Sequence, residues 1–166
     1  MTTADRDFHV RHEARNVIYR IVQEAGGKMI MRSDAFGTTR EPEPLAGIAA
    51  ATALGHAVTR SVAGFARRAR EDGKTWAEIG AALGAEADPE TGTTTGAAAF
   101  LVLASDLGSG SPSFGWSCPA CGRTVLDYGP EMGHPEDQEQ GHGGGCTRLA
   151  ETVRAWRAEW EGDDND

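Results

Sequence analysis

Cysteine is scarce in this chain of 166 residues, which contains only Cys118, Cys121 and Cys146. An odd number of cysteines leaves one thiol without an intramolecular partner, so the count argues against a disulfide framework. The three residues are therefore expected to act as thiols or thiolates, not as a set of cross-links.

Large apolar side chains are also few. Aromatic residues make up 7% of the chain and hydrophobic residues 39%, whereas there are 22 glycines. This composition predicts helices with small side chains around a thin core, in which a bound metal ion would add needed stability. Four tryptophans supply much of the large apolar surface: Trp76, Trp116, Trp156 and Trp160.

Positive charge is in deficit. The chain has 16 lysines and arginines against 25 aspartates and glutamates, and its formal net charge at pH 7 is −9. A protein this acidic is not expected to coat nucleic acid through general phosphate contacts. A local basic patch stays compatible with the count.

Long hydrophobic runs are missing as well. No stretch approaches the roughly 18 uninterrupted apolar residues of a membrane-spanning helix, so we expect no membrane association. The first residues lack a basic segment followed by an apolar one, so we expect no signal peptide. Reduced thiols without an export signal favour a cytoplasmic location.

Two short segments carry the strongest chemical signal. Cys118 and Cys121 form a C-x2-C pair, and His142 and Cys146 follow later as an H-x3-C pair. Zn²⁺ in structural sites takes four nitrogen or sulfur ligands in a tetrahedron, and this spacing is typical of such sites. We therefore predict a Cys₃His zinc site that uses every cysteine of the chain.

His134 keeps the identity of the fourth ligand open. It lies between the two halves of the site, in Gly133-His134-Pro135. It could replace His142, support the site from outside the ligand set, or be exposed in a polar loop. We favour His142 because the H-x3-C spacing matches zinc ligand pairs, whereas His134 has no ligand partner close in sequence.

The sequence argues against an enzyme. Four protein ligands leave no coordination position for a reactive water molecule. The chain also lacks the GxGxxG, P-loop, G-x-S-x-G and H-E-x-x-H motifs. A zinc deaminase would need H-x-E ahead of its cysteine pair, and no H-x-E precedes Cys118.

Apolar periodicity predicts a mainly α fold. Helices are expected over residues 8–25, 44–72, 76–83 and 93–105, with a last helix after Cys146. Residues 28–44 are expected to form a connector whose second half is a loop of turn-forming residues. A short strand is expected over residues 123–128, followed by an acidic loop.

Composition shifts suggest how these elements are grouped. Residues 1–106 are predicted to be a helical domain, and residues 107–115 a Gly/Ser linker. Residues 116–161 follow as a zinc module with its C-terminal helix, and residues 162–166 as an acidic tail. The expected architecture is a helical bundle containing a helix-turn-helix-like unit, followed by a small zinc-stapled module.

The helix predicted over residues 76–83 has clear end signals. Thr75 and Glu78 form a capping box at its start, and Gly84 is expected to end it. A basic group lies at the end of the preceding helix and just beyond it: Arg67, Arg68, Arg70 and Lys74. These cations suit the C-terminal end of a helix dipole, and they are also the candidate DNA-binding residues because they would suit phosphate contacts.

The stretch from Ala69 to Gly84 resembles the start of a helix-turn-helix in actinobacterial DNA-binding proteins, and its recognisable part is the pattern Gly-x-Thr-Trp-x-Glu-Ile-Gly-x-x-Leu-Gly. The segment from Trp116 to Cys146 is similar to a recurrent actinobacterial zinc segment. Together these resemblances imply zinc and DNA binding. The chain departs from the pattern at residues 85–92, an acidic connector longer than the usual turn. The next helix has no Arg, Lys, Asn or Gln to read bases.

Two functions are expected from these features. One is a zinc-containing DNA-binding protein that regulates transcription, which the resemblance favours. The other is a zinc-stapled module that binds protein and not DNA, which the acidic charge and the apolar helix at 93–105 favour. In either case, Trp156 and Trp160 on the last helix would offer a homodimer contact.

Overall fold

The computed structural model describes residues 2–104 and 112–162. Within these ranges the chain is mainly helical, as predicted, with a smaller share of strand. The elements are α1 (Thr3–Glu24), β1 (Met29–Asp34), β2 (Gly37–Pro42), α2 (Pro44–Glu71), α3 (Trp76–Leu83), α4 (Thr95–Ala104), β3 (Phe114–Ser117), β4 (Thr124–Asp127), α5 (Pro135–Gln138), β5 (Glu139–Gln140) and α6 (Thr147–Gly162). None of the helices in these ranges combines the length and the apolarity that crossing a bilayer requires.

The chain divides into two compact units, Met1–Ser61 and Val62–Asp166. The division falls inside α2, so α3 and α4 belong to the same unit as the strands that follow them. The predicted linker at 107–115 stays a prediction, because residues 107–111 lie outside the described ranges. The predicted acidic tail also lies outside them, apart from Gly162.

The first unit contains α1, a hairpin and the first part of α2. The segment expected to be a connector with a loop is an antiparallel hairpin, in which Met29 pairs with Pro42 and Asp34 with Gly37. The Asp34 carboxylate accepts the Phe36 N–H at 2.8 Å. Turn-forming residues here close two strands instead of forming an irregular loop, because an Asp turn next to a positive-φ glycine also serves a hairpin.

The second unit has a continuous aromatic core. The Trp76 ring meets Phe100 and Phe114 edge-on, with ring centroids 5.2 Å apart in both pairs. Trp116 and Val125 complete the core from β3 and β4. Because Trp76 belongs to α3 and Phe114 to β3, helices and strands in this unit share one apolar core.

Local signals account for the position of α3. The Thr75 hydroxyl accepts the Glu78 N–H, and the Glu78 carboxylate accepts the Thr75 N–H at 2.8 Å, which confirms the capping box. Gly84 ends the helix in the left-handed region, with φ of 69°. α3 therefore begins and ends where the sequence predicts.

α3 and α4 lie unusually close together. A Cβ on Gly80 would lie 2.4 Å from the Thr95 carbonyl oxygen, and one on Gly96 would lie 3.0 Å from the Ala77 nitrogen. The connector between the helices spans residues 84–94, so it is longer than a typical helix-turn-helix turn. It carries an isolated bridge between Asp88 and Thr93. The helix-turn-helix interpretation stays a prediction.

Candidate metal centre

The two halves of the predicted site come from two different turns. Cys118 and Cys121 lie in the turn between β3 and β4, which closes where the Cys118 N–H donates to the Arg123 carbonyl at 2.9 Å. Gly122 allows this turn because its φ is 66°. His142 and Cys146 lie in the segment that leads into α6.

The structure brings these four residues together. Their ligand atoms all lie within 4.8 Å of one another. The Sγ atoms of Cys118 and Cys146 are 3.7 Å apart, and Cys121 Sγ lies 3.8 Å from His142 Nδ1. A tetrahedral ion bound about 2.3 Å from each sulfur would hold two sulfurs roughly 3.8 Å apart, so the cluster could hold one metal ion.

The surroundings of Cys118 and Cys121 shift the pKa values of the two thiols in opposite directions. Backbone N–H groups of Gly143 and Arg123 are the main causes that lower the pKa of Cys121 to about 6. Burial raises the pKa of the Cys118 thiol. The lowered pKa favours the thiolate form of Cys121, and a bound metal ion would favour the thiolate form of Cys118 in the same way.

The two ring nitrogens of His142 face different groups. Nδ1 faces Cys121, and Nε2 lies 3.0 Å from a carboxylate oxygen of Glu139. The side chain is 2% exposed. A carboxylate on the outer nitrogen fixes the tautomer and the ring orientation, and it makes the inner nitrogen a better metal ligand.

Glu139 connects the metal site to α2. Its other oxygen accepts a hydrogen bond from Arg70, which is 7% exposed. The Arg70 guanidinium also binds Asp127 at 2.9 Å and the Lys74 carbonyl at 2.7 Å. The Trp76 indole N–H donates to the same Asp127 oxygen at 2.9 Å. Burial raises the pKa of Asp127, and the charge of Arg70 opposes this effect.

A second arginine joins α6 to the same end of α2. Arg148 donates to the carbonyl oxygens of Glu71 and Arg70, which end α2. Its guanidinium also lies 4.2 Å from the centre of the Trp116 ring. Because Arg148 lies two residues after Cys146, these hydrogen bonds hold the segment that carries one of the candidate metal ligands.

The structure separates His134 from the cluster. His134 caps α5, where its Nδ1 accepts the Glu136 N–H at 3.2 Å. Its ring meets the Trp156 ring edge-on, with centroids 4.8 Å apart. His134 is not part of the group of ligand atoms, which contains His142 instead.

The four candidate DNA-binding residues lie in unlike surroundings. Arg68 is exposed and lies over the Phe65 ring, and Lys74 is exposed and pairs with Glu78 at 3.0 Å. Arg67 is half-buried and donates to the Gly115 carbonyl at 3.1 Å. Arg70 is buried among carboxylates, so it is placed to stabilise the fold and not to contact phosphate.

Glu139, Asp127 and Arg148 are the functional residues that the sequence analysis missed. Glu139 precedes a ligand histidine by three residues, which is a weak signal in a segment with many acidic residues. Nothing in the local sequence joins Arg70 to carboxylates that lie 57 and 69 positions further along the chain.

Comparison of the chain with protein-family models, with curated proteins and with solved structures found no match. The chemistry of the metal centre is therefore inferred from its own donor atoms. Three sulfurs and one imidazole nitrogen can fill the four positions of a tetrahedral ion. Such a set favours a soft or borderline metal over Mg²⁺ or Ca²⁺, which prefer oxygen ligands.

Proposed function

We propose that Cys118, Cys121, His142 and Cys146 hold one structural Zn²⁺, and that the chain is a non-catalytic, cytoplasmic protein-binding module on a helix-turn-helix-like scaffold. The donor set and the spacing of its atoms support zinc. Four protein ligands would leave no position for a reactive water molecule, which supports a structural role.

The proposal of protein binding rests on the side chains that α4 exposes. In a DNA-reading unit this helix would present polar and basic side chains to the base edges. Here its largest exposed side chains are Leu101 and Val102, which are 50% and 66% exposed. Apolar side chains at the exposed face of a helix suit a protein partner better than a groove lined by phosphates.

The surroundings of the α4 N-terminus also disfavour phosphate. An open cleft of about 1140 Å³ lies there, lined by residues of α3, α4, α6 and the cysteine turn. Its carboxylates outnumber its two arginines, Arg70 and Arg148, and both arginines are already engaged within the protein. The acidic side chains in the lining are Glu71, Asp72, Asp88, Glu139 and Glu151.

Metal content tests the zinc assignment directly. Native mass spectrometry is expected to find one zinc ion per chain. His142→Ala should lose the ion, whereas the matched change His134→Ala should keep it, because only His142 lies within the cluster. Loss of zinc from the His134 variant together with retention in the His142 variant would reverse the ligand assignment.

DNA binding by a transcription regulator is the second candidate. It is favoured by the capped α3, by the close contact between α3 and α4, and by the exposed cations Arg68 and Lys74. Lys74 pairs with Glu78 of α3, and Arg68 lies in the last turns of α2. Cations at the start of such a unit would suit contacts with the DNA backbone.

Gel retardation at low salt separates the two candidates. We expect no retardation of any duplex by the zinc-loaded chain. The opposite result has two parts: a duplex is retarded, and Arg68→Ala with Lys74→Ala abolishes the shift while Arg154→Ala with Arg157→Ala on α6 does not. The two double variants remove the same charge, so such a difference would show a specific DNA contact and would replace protein binding with DNA binding.

A further inference from the structure

The three cysteines of the candidate metal centre differ in how far solvent reaches them. Cys118 is 1% exposed and Cys146 is 6% exposed, whereas Cys121 is half-buried. Two glycines leave room beside Cys121. Apart from chain neighbours, no described atom lies within 4 Å of the Cβ position of Gly122, and a Cβ on Gly143 would lie 3.5 Å from the Cys121 Cβ. A small reagent from solvent therefore reaches Cys121 before the other two thiols.

The contacts among the thiols are unequal as well. Cys118 hydrogen-bonds to both other thiols, and its Sγ lies 3.7 Å from the Sγ of Cys146. Cys121 hydrogen-bonds to Cys118 and to the His142 ring, and its Sγ accepts the Gly143 N–H at 3.5 Å. Cys118 is therefore the thiol in direct contact with the accessible Cys121.

Cys118 and Cys121 also share one closed turn. The Gly122 N–H donates to the Cys118 carbonyl at 2.8 Å, and the Cys118 N–H donates to the Arg123 carbonyl at 2.9 Å. Two residues separate the cysteines, which is the C-x-x-C spacing of proteins that form and break a disulfide. A bond between these two sulfurs would need movement only within the turn.

We propose that Cys121 is a site of reversible oxidation by hydroperoxides, and that oxidised Cys121 forms a disulfide with Cys118 and thereby releases the metal ion. This proposal rests on the zinc assignment of the proposed function, and it gives the same site a regulated second state. Cys121 is the attacking thiol because it is the accessible one. Cys118 is the resolving thiol because it is already in contact with Cys121.

The chemistry has two steps. In the first, the Cys121 thiolate attacks an oxygen of the hydroperoxide, so that an S–O bond forms and the O–O bond breaks. In the second, the Cys118 thiolate attacks the sulfur of the resulting sulfenic acid, so that an S–S bond forms and the S–O bond breaks. Each leaving oxygen takes one proton from solvent. The two sulfurs together lose two electrons, which reduce the hydroperoxide to an alcohol, or to water when the reagent is hydrogen peroxide, and release one further water.

The choice of resolving thiol decides what oxidation does to the site. A bond between Cys118 and Cys121 leaves His142 and Cys146 as the remaining donors of the cluster, which are too few for a closed tetrahedral site. The ion would then no longer join the cysteine turn to the segment before α6. A bond between Cys118 and Cys146 would instead hold these two segments together covalently.

Hydrogen peroxide added to the full, zinc-loaded chain tests the proposal. We expect release of one zinc ion per chain, followed with a chromophoric chelator, and reversal by a dithiol reductant with added Zn²⁺. The denatured chain should become lighter by about 2 Da, the two hydrogen atoms lost when a disulfide forms. Retained zinc together with unchanged mass would overturn the proposal as a whole.

A tryptic map of the oxidised chain identifies the sulfur pair. Trypsin cleaves after Lys74, Arg123 and Arg148, so peptide 75–123 contains Cys118 and Cys121, and peptide 124–148 contains Cys146. We expect the disulfide inside the first peptide and a free Cys146 that iodoacetamide alkylates. A cross-link between the two peptides would overturn the assignment of Cys118 as the resolving thiol.

Cys121→His tests which thiol reacts first. The imidazole keeps four nitrogen and sulfur donors but removes the attacking sulfur. We expect zinc release by hydrogen peroxide to become about tenfold slower or more. Met132→Leu is the control, because Met132 is an oxidisable sulfur that is 50% exposed and lies outside the cluster. It should keep the wild-type rate, and equal rates in both variants would overturn the assignment of Cys121.

The map on the wild-type chain decides the sulfur pair even where Cys121→His binds no zinc. Failure of the proposed function gives a different result, because a chain that holds no zinc before any oxidant is added would contradict the zinc assignment itself. A chain that holds zinc and keeps it in hydrogen peroxide would contradict only the oxidation.

Discussion

At the scale of single residues, the two nitrogens of His142 matter most. One faces the thiol cluster, and the other is held by Glu139, which is itself held by the buried Arg70. The candidate metal ligands are therefore supported by other residues, because Glu139 and Arg70 hold His142 in its orientation. This arrangement ties the metal centre to α2 through hydrogen bonds.

Glu139→Gln tests this support. The substitution keeps the size of the side chain but removes the charge that makes His142 a better ligand. We expect zinc affinity to fall about 10–100-fold, measured by competition with a chromophoric chelator. Glu136→Gln is the matched control in the same segment, because the Glu136 side chain is 67% exposed. Equal effects in both variants would contradict a specific role for Glu139.

Arg70→Met tests the network from its other end. Methionine fills similar space, but it leaves Asp127 and Glu139 buried without their cation. We expect the free energy of unfolding in urea to fall by about 3–5 kcal/mol. Arg68→Met should change it by no more than about 0.5 kcal/mol, since Arg68 is exposed. A loss below about 1 kcal/mol for Arg70→Met would show that the buried ion pairs contribute little.

At the scale of elements, the contact between α3 and α4 depends on the absence of two side chains. Gly80 and Gly96 let the helix backbones approach, and Trp76 fills the space beside them. The same approach brings the Thr95 end of α4 against α3. The sequence identifies both helices from periodicity and caps, but the distance between them follows only from the packing.

Gly80→Ala tests how close this contact is. The new methyl group would overlap the Thr95 carbonyl, which cannot turn away as a flexible side chain could. We expect a loss of about 1–3 kcal/mol in thermal or urea unfolding. Gly64→Ala in α2 is the control, because, apart from its own stretch of helix backbone, no described residue comes within 4 Å of its Cβ position. It should be neutral or stabilising by up to about 1 kcal/mol.

At the scale of the whole molecule, the candidate metal centre belongs to the core of the second unit. Cys118 and Cys146 are members of the buried cluster that contains Trp76, Phe100 and Trp116. The cysteine turn, the segment before α6 and the end of α2 are thereby held together. Without a bound ion, the three thiols and the imidazole would lie close together with no positive charge between them.

Chelation of the metal tests this view. The binding energy of a structural zinc ion, about 10–16 kcal/mol in zinc-finger peptides, exceeds the stability of many domains. We therefore expect a strong chelator to abolish cooperative unfolding of the second unit and to shift the fluorescence of the buried Trp76 and Trp116 to longer wavelength. Added Zn²⁺ should reverse both changes, and added Ca²⁺ should not. A metal-free chain with an unchanged melting temperature would contradict a structural role.

Features that depend on neighbouring residues could be predicted from the sequence. The capping box of Thr75 and Glu78 places α3, and the C-x2-C and H-x3-C spacings identify the two halves of the candidate metal centre, because both are effects of residues a few positions apart. That the two halves meet follows only from the fold, since Cys118 and Cys146 are 28 positions apart. The hairpin at 29–42 was missed because turn-forming residues serve loops and hairpins alike.

The sequence by itself predicted the five longer helices and named the four candidate donors, since caps, periodicity and ligand spacing are local properties of the chain, but it missed the short α5. Only the tertiary structure decided that Arg70 is buried while Arg68 two positions earlier is exposed, and that Glu139 supports His142. The energy of a charge depends on which distant groups surround it after folding. The same cluster of arginines in the sequence therefore divides into buried and exposed residues.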